Sequence, residues 1–439
     1  MRLSEASMSD DLSPRMNPML EISKFDSDSG QPMVLCLVPN EGGHIRYAMP
    51  AVYMELARTF DGTRNVDEAI DTFLQQEPDT FPRDWLRRLV VEMLLPKGVL
   101  VCPDQDPSRV AVCSQFRQSY LYIKLPVMKP RMVDPVARRL GFLFRRGIML
   151  LGLLVFVAVH AYVYGVLFRV HAFDFNQLDT RDILILLLLS AVGTIFHEFG
   201  HASAAAHFGC REITIGWGLY LFYSVMWTDV SDAWKLPRHQ RAIVDIGGVY
   251  LQSFFLVLVL ASYLLTRNSI FLFAFVLNDF AIALTTFNPF IRMDGYWLMS
   301  DLFGIVNLRR QQITWGQNIL ARIFGGQQTG QSRLSRRVKW ALAVYTALGT
   351  FYLAYLLKVI FDLVVLNVAE NYPAMLHDLW QQASDGMPVL TFLRALLEIG
   401  WRTMLIFGAA VLVFRTTKAA LDLATKLWNA RSHARLPGA

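Results

Sequence analysis

Six stretches of about twenty mostly apolar residues dominate this chain, at roughly 148–168, 183–206, 243–265, 269–287, 338–366 and 390–414. A helix needs about 20 such residues to cross the hydrocarbon core of a bilayer. In lipid the backbone polar groups must be satisfied within the segment itself, so helices are the expected form. Composition agrees: 54% of the 439 residues are hydrophobic and 18% are charged. Soluble domains run nearer 45–50% apolar and about 25% charged. Disordered and collagen-like chains are excluded. The expected fold class is mostly α, a polytopic membrane protein with about six transmembrane helices, plus a small α+β winged-helix-like domain at the front.

Loop charges give the orientation. Arg131, Arg138, Arg139, Arg145 and Arg146 precede the first stretch, and Arg211, Lys235, Arg238 and Arg241 lie between the second and third. Arg292, Arg309, Arg310 and Arg322 lie between the fourth and fifth, and Arg415, Lys418 and Lys426 follow the sixth. The alternate loops hold only Arg169 and Arg181, then Arg267, then no Lys or Arg between Asn367 and Leu390. Six spans put every rich loop on one side, so both termini are expected in the cytoplasm. The expected location is the inner (plasma) membrane of a bacterium. The basic excess sits between apolar runs, which argues for membrane topology and against nucleic acid as a partner. The first thirty residues hold Asp10, Asp11, Glu21, Asp26 and Asp28 and no apolar run, which predicts no signal peptide there. Cys36, Cys102, Cys113 and Cys210 show no paired spacing and suggest neither a disulfide framework nor a zinc ribbon.

Residues 1–120 carry 12 basic and 18 acidic residues, while the whole chain stands at +6. An acidic front piece therefore precedes a basic, apolar body. We expect a flexible N-terminus at 1–30, a small domain at 31–102, a linker at 103–147, the membrane domain at 148–414 and a basic tail at 415–439. In the front domain, 32–38 and 44–47 flank a turn at Asn40-Glu41-Gly42-Gly43 and read as a hairpin. Helical patterns follow at about 50–60, 65–76 and 83–95, then a turn into a strand at 96–101. The aromatic run 217–223, flanked by Ile213-Thr214-Ile215, reads as an interfacial hairpin that can present a strand edge.

The chemistry centres on His197-Glu198-Phe199-Gly200-His201. Positions i and i+4 share a helix face, so both imidazoles can reach one zinc ion. The glutamate between them can take a proton from water and act as general base. The plainer reading, two histidines held by hydrogen bonds, leaves two His and a Glu in a span without a task, which is costly. His197 is about the fifteenth residue of its stretch, roughly 22 Å along a helix rising about 1.5 Å per residue, so the site is buried and nearer the cytoplasm. Zinc wants a third protein ligand. His207 falls on the wrong face. Asp294 stands where Pro289 and Gly295 break the helix, and irregular backbone at membrane depth is tolerated where it lines a cavity. Asp279 is its rival. Asp245 opens the third stretch and suits a helix N-terminal role.

These residues resemble a known family. His197-Glu198-Phe199-Gly200-His201 with Ala205 and Gly209 is similar to the HExxHxxxAxxxG helix of site-2 proteases. Asn288-Pro289 with Asp294-Gly295 resembles their second motif, at the spacing of the peptide zinc metalloprotease branch. Gly248-Val249-Tyr250-Leu251-Gln252 stands where many members carry G-P-x-x-N, with Pro and Asn replaced. The resemblance implies an intramembrane zinc endopeptidase. His197, His201 and Asp294 would bind Zn2+, Glu198 would be the general base and Asn288 an oxyanion donor. The front domain is similar to PqqD-like peptide-binding domains at Phe60-Asp61-Gly62, 66–70 and 97–100. That likeness implies a leader peptide as ligand, bound as an added strand. Expected partners are a peptide or membrane-protein substrate, an export ATPase or adaptor, and the lipid bilayer. The alternatives are a non-proteolytic peptide-binding, export or immunity component, and a metal transporter.

Overall fold

Residues 13–103 build a small α/β unit around a short antiparallel sheet. In the computed structural model the described residues are 13–384, except 29–30, 41–42, 78–80, 104, 108–120, 168–179, 221–222, 287–292, 325–334 and 361–366, with scattered positions beyond. The unit comprises β1 (Arg15–Met16), β2 (Glu21–Phe25), β3 (Met33–Asn40), β4 (Gly43–Pro50), α1 (Ala51–Arg58), α2 (Val66–Gln76), α3 (Arg83–Leu89) and β5 (Leu100–Val101). β2, β3 and β4 form one sheet in that order, and β1 pairs with β5. Asn65 and Glu68 cap α2 reciprocally, each side chain accepting the other's backbone N–H. Cys36, Val38, Met54, Leu56, Phe60, Ile70, Phe73, Leu86 and Leu100 pack into one core between sheet and helices.

The expected hairpin, the three helices and the strand near residue 100 are all present. Elements also occur at two places where none was expected. Within the segment 1–30 the described residues carry β1 and β2. The expected linker carries β6 (Leu121–Met128) and α4 (Pro130–Leu140). β6 pairs with β7 (Thr214–Tyr220), which pairs with β8 (Tyr223–Asp229). Pro126 lies in β6 and has no N–H to donate, which suits the edge strand it forms.

The body is helical. It contains α5 (Arg146–Tyr162, prolonged through Leu167), α6 (Thr180–His207), α7 (Arg238–Thr266), α8 (Ser269–Thr286), α9 (Asp294–Leu302), α10 (Leu308–Phe324), α11 (Arg336–Ile360) and α12 (Asn367–Ser384). Among the described residues, three helices are long and apolar enough to cross a membrane: α5 with its extension, α6 and α7. α8 is apolar but shorter, α11 covers most of the fifth stretch, and the sixth stretch and basic tail lie largely outside the described residues. α7 is the central pillar, with 67% of its most apolar window buried against 17% for α5. Leu150, Leu151 and Leu154 of α5 and Leu184, Leu187 and Leu188 of α6 stand exposed, as a lipid-facing surface would.

Candidate metal centre

Two helices meet almost backbone to backbone at the centre of the body. A side chain at Gly200 of α6 would strike the carbonyl of Gly247 on α7. A Cβ at Gly248 would stand 2.5 Å from the Nε2 atoms of both His197 and His201. Small residues allow this approach: a Cβ at Gly247 would stand 2.9 Å from the Ala204 methyl, so Ala204 continues the close face of α6. The crossing brings α7 within hydrogen-bond reach of both imidazoles.

Each ring is anchored through Nδ1. His201 Nδ1–H donates to the Val244 carbonyl at 2.8 Å. His197 Nδ1–H donates to Gln252 Oε1 at 2.9 Å. Gln252 Nε2 donates onward to Asn278 Oδ1 at 3.3 Å, and Asn278 Nδ2 to the Ala274 carbonyl at 2.8 Å. A neutral imidazole has one N–H, so these anchors leave both Nε2 atoms as lone-pair donors. The two face each other at 3.1 Å. Asp294, the first residue of α9, joins them: its Oδ2 lies 2.8 Å from His197 Nε2 and its Oδ1 3.5 Å from His201 Nε2.

Three electron-pair donors thus converge within 4.8 Å, in a pocket where His201 is buried and His197 and Asp294 are largely so. Such a set suits a small cation. Ligand atoms around one tetrahedral ion with bonds of about 2.0–2.1 Å stand roughly 3.3 Å apart, and the observed separations bracket that value. The His-His-Asp group is therefore able to bind a metal ion.

Glu198 is buried beside the cluster. Its Oε2 accepts a 2.6 Å hydrogen bond from Thr228 Oγ1 on β8. The hairpin therefore orients the carboxylate, and among the described residues β8 pairs with a strand on one side only.

The rival ligand Asp279 is engaged elsewhere. Its Oδ1 is 3.0 Å from His160 Nε2 and its Oδ2 accepts from the Tyr164 hydroxyl, which ties α5 to α8. His207 packs on Phe208 and is not part of the cluster. Asp245 lies two turns into α7 rather than at its start, and its buried Oδ2 has no hydrogen-bond partner among the described residues. Asn288 lies outside the described residues. Sequence reasoning missed Gln252, Asn278 and Thr228 as supports. Gln252 carried one usable signal, its place in the Gly248–Gln252 segment one turn beyond the crossing; Thr228 carried none. No protein family, curated protein or solved structure matches this chain.

Proposed function

We propose that this chain is an integral-membrane zinc endopeptidase of the site-2 protease type, cleaving a membrane-associated or ribosomally made precursor peptide. The observation that carries the reading is the convergence of His197 Nε2, His201 Nε2 and Asp294 with a buried glutamate between the two histidines in sequence. His197, His201 and Asp294 would hold the ion. Zinc bound there supplies Lewis acidity toward a scissile carbonyl and toward water. The chain's own residues do the rest. Gln252 and Val244 fix the tautomer and aim of the rings. Glu198 takes the proton of the attacking water and passes it to the leaving amine nitrogen. Thr228 holds the glutamate for that transfer. The edge of β8, unpaired among the described residues, suits an extended substrate backbone laid as an added strand beside Glu198. Asn288, by resemblance, donates to the oxyanion.

The same reading takes the six stretches as six spans with both termini in the cytoplasm of a bacterial inner membrane. It takes the front unit as a winged-helix-like domain that holds a leader peptide, with an export ATPase or adaptor as a further partner. A non-proteolytic peptide-binding, export or immunity role is the second reading, and it gives Glu198 no task. The test is cleavage of model membrane peptides by the purified full chain, read by mass spectrometry. Glu198→Gln should lower cleavage by roughly 10²–10⁴-fold while metal remains bound. Cleavage that persists in Glu198→Gln contradicts the mechanism; peptide binding with no cleavage by the unaltered chain favours the second reading.

A further inference from the structure

The front unit does not stand apart from the body. Phe25 at the end of β2 packs with Met33, Leu35 and Leu37 against Trp234 and Val306 of the body, the Phe25 and Trp234 rings 5.9 Å apart. The chain just after β2 then grips two helices at once. On α7, the Asp26 carboxylate accepts from the Arg238 backbone N–H at 3.1 Å, and the Asp26 carbonyl accepts from Arg241 Nη2 at 3.0 Å. The Arg241 guanidinium lies over the Phe25 ring, 4.4 Å from its centre. On the body's other element, the Asp28 backbone N–H donates to the Gly304 carbonyl at 3.0 Å, just beyond the end of α9.

Both gripped helices lead to the metal centre. α9 is nine residues long, about 13 Å at 1.5 Å per residue. Its first residue is Asp294, and its far end carries Asp301, which accepts from Arg241 Nε at 2.7 Å. On α7, Val244 lies one turn beyond Arg241, and its carbonyl anchors His201. Arg241, which is 4% exposed, is thus the joint between the helix that anchors the histidines and the helix that carries the aspartate. Phe25 and Asp26 close that joint from outside.

We infer that docking of the front unit sets the relative position of α7 and α9, and so decides whether Asp294 meets the two histidines. The front unit is then a positioning element of the metal centre, and whatever displaces it opens the centre. Phe25 and Asp26 belong to or directly follow β2, whose outer edge has no partner strand among the described residues, so a ligand added along that edge would bear on the joint. The inference rests on the metal-centre reading above.

The experiment measures Zn2+ affinity of the full chain in detergent by competition with a chromophoric chelator, which needs no substrate and no activity. Phe25→Ala and Trp234→Ala strip opposite sides of the same contact, so misfolding of the front unit cannot account for both. Each should weaken zinc binding by roughly ten- to a hundredfold, the range for residues that support metal ligands. Arg241→Ala should do the same, with Arg241→Lys recovering part of the loss. Arg83→Ala, which removes exposed ion pairs to Asp67 and Asp71 inside the front unit, should change nothing. Unchanged zinc affinity in Phe25→Ala and Trp234→Ala, with zinc bound by the unaltered chain, overturns the inference and leaves the metal reading standing. No zinc binding by the unaltered chain overturns both.

Discussion

His197 and His201 are held by different means, and the difference can be measured. His201 leans on a backbone carbonyl, which no substitution removes. His197 leans on Gln252, which leans on Asn278. Gln252→Ala should free the His197 ring and lower zinc affinity by roughly ten- to a hundredfold. Gln252→Glu keeps an acceptor at the same reach and should retain most of the affinity. A chelator competition assay separates the two; equal losses would mean that the ring aim is set by packing alone. In the front unit, burial pushes the Cys36 thiol up to about 12 from its usual 9.0, and the Tyr47 phenol up to about 12 from 10.0. Both groups ionise more readily in the unfolded chain. Their contribution to stability is therefore complete below about pH 9 and drains away as pH rises toward 12. Denaturant midpoints followed by Trp85 fluorescence should fall above pH 9, and fall less steeply in Cys36→Val.

The α6–α7 crossing is the element on which the centre depends. Gly200→Ala places a methyl against the Gly247 carbonyl. Backbone cannot yield as a flexible side chain does, so the helices must separate, at about 1–3 kcal/mol for an overpacked contact. Thermal unfolding in detergent should report the loss, together with reduced bound metal. Gly165→Ala, which meets nothing within 4 Å, should not destabilise. The long helices were legible because apolar runs of span length leave few alternatives. β2 was not: its apolar residues, Ile22 and Phe25, are few and out of strict alternation, and it becomes a strand by pairing with β3. β6 was hidden by Pro126 and takes its form from β7. Asp294 could be read from the Pro289 and Gly295 breaks around it. Gln252 and Thr228 could not be assigned, because a lone polar residue does not name its partner until the fold supplies one.

At the scale of the whole molecule, a front unit proposed to hold a peptide is joined to an apolar, helical body that carries one candidate metal centre. The proposed six-span arrangement predicts that a reporter active only outside the membrane is silent when fused at Ala439 and active when fused near Tyr372. A signal at Ala439 would mean a different number of crossings. Elemental analysis of the purified full chain reads the proposed ligand set of His197, His201 and Asp294 without needing a substrate. One zinc per chain is expected, lost in His197→Ala and in Asp294→Ala, and kept in Glu198→Gln and in Asp279→Asn. Full zinc in Asp294→Ala, or no metal in the unaltered chain, would contradict it.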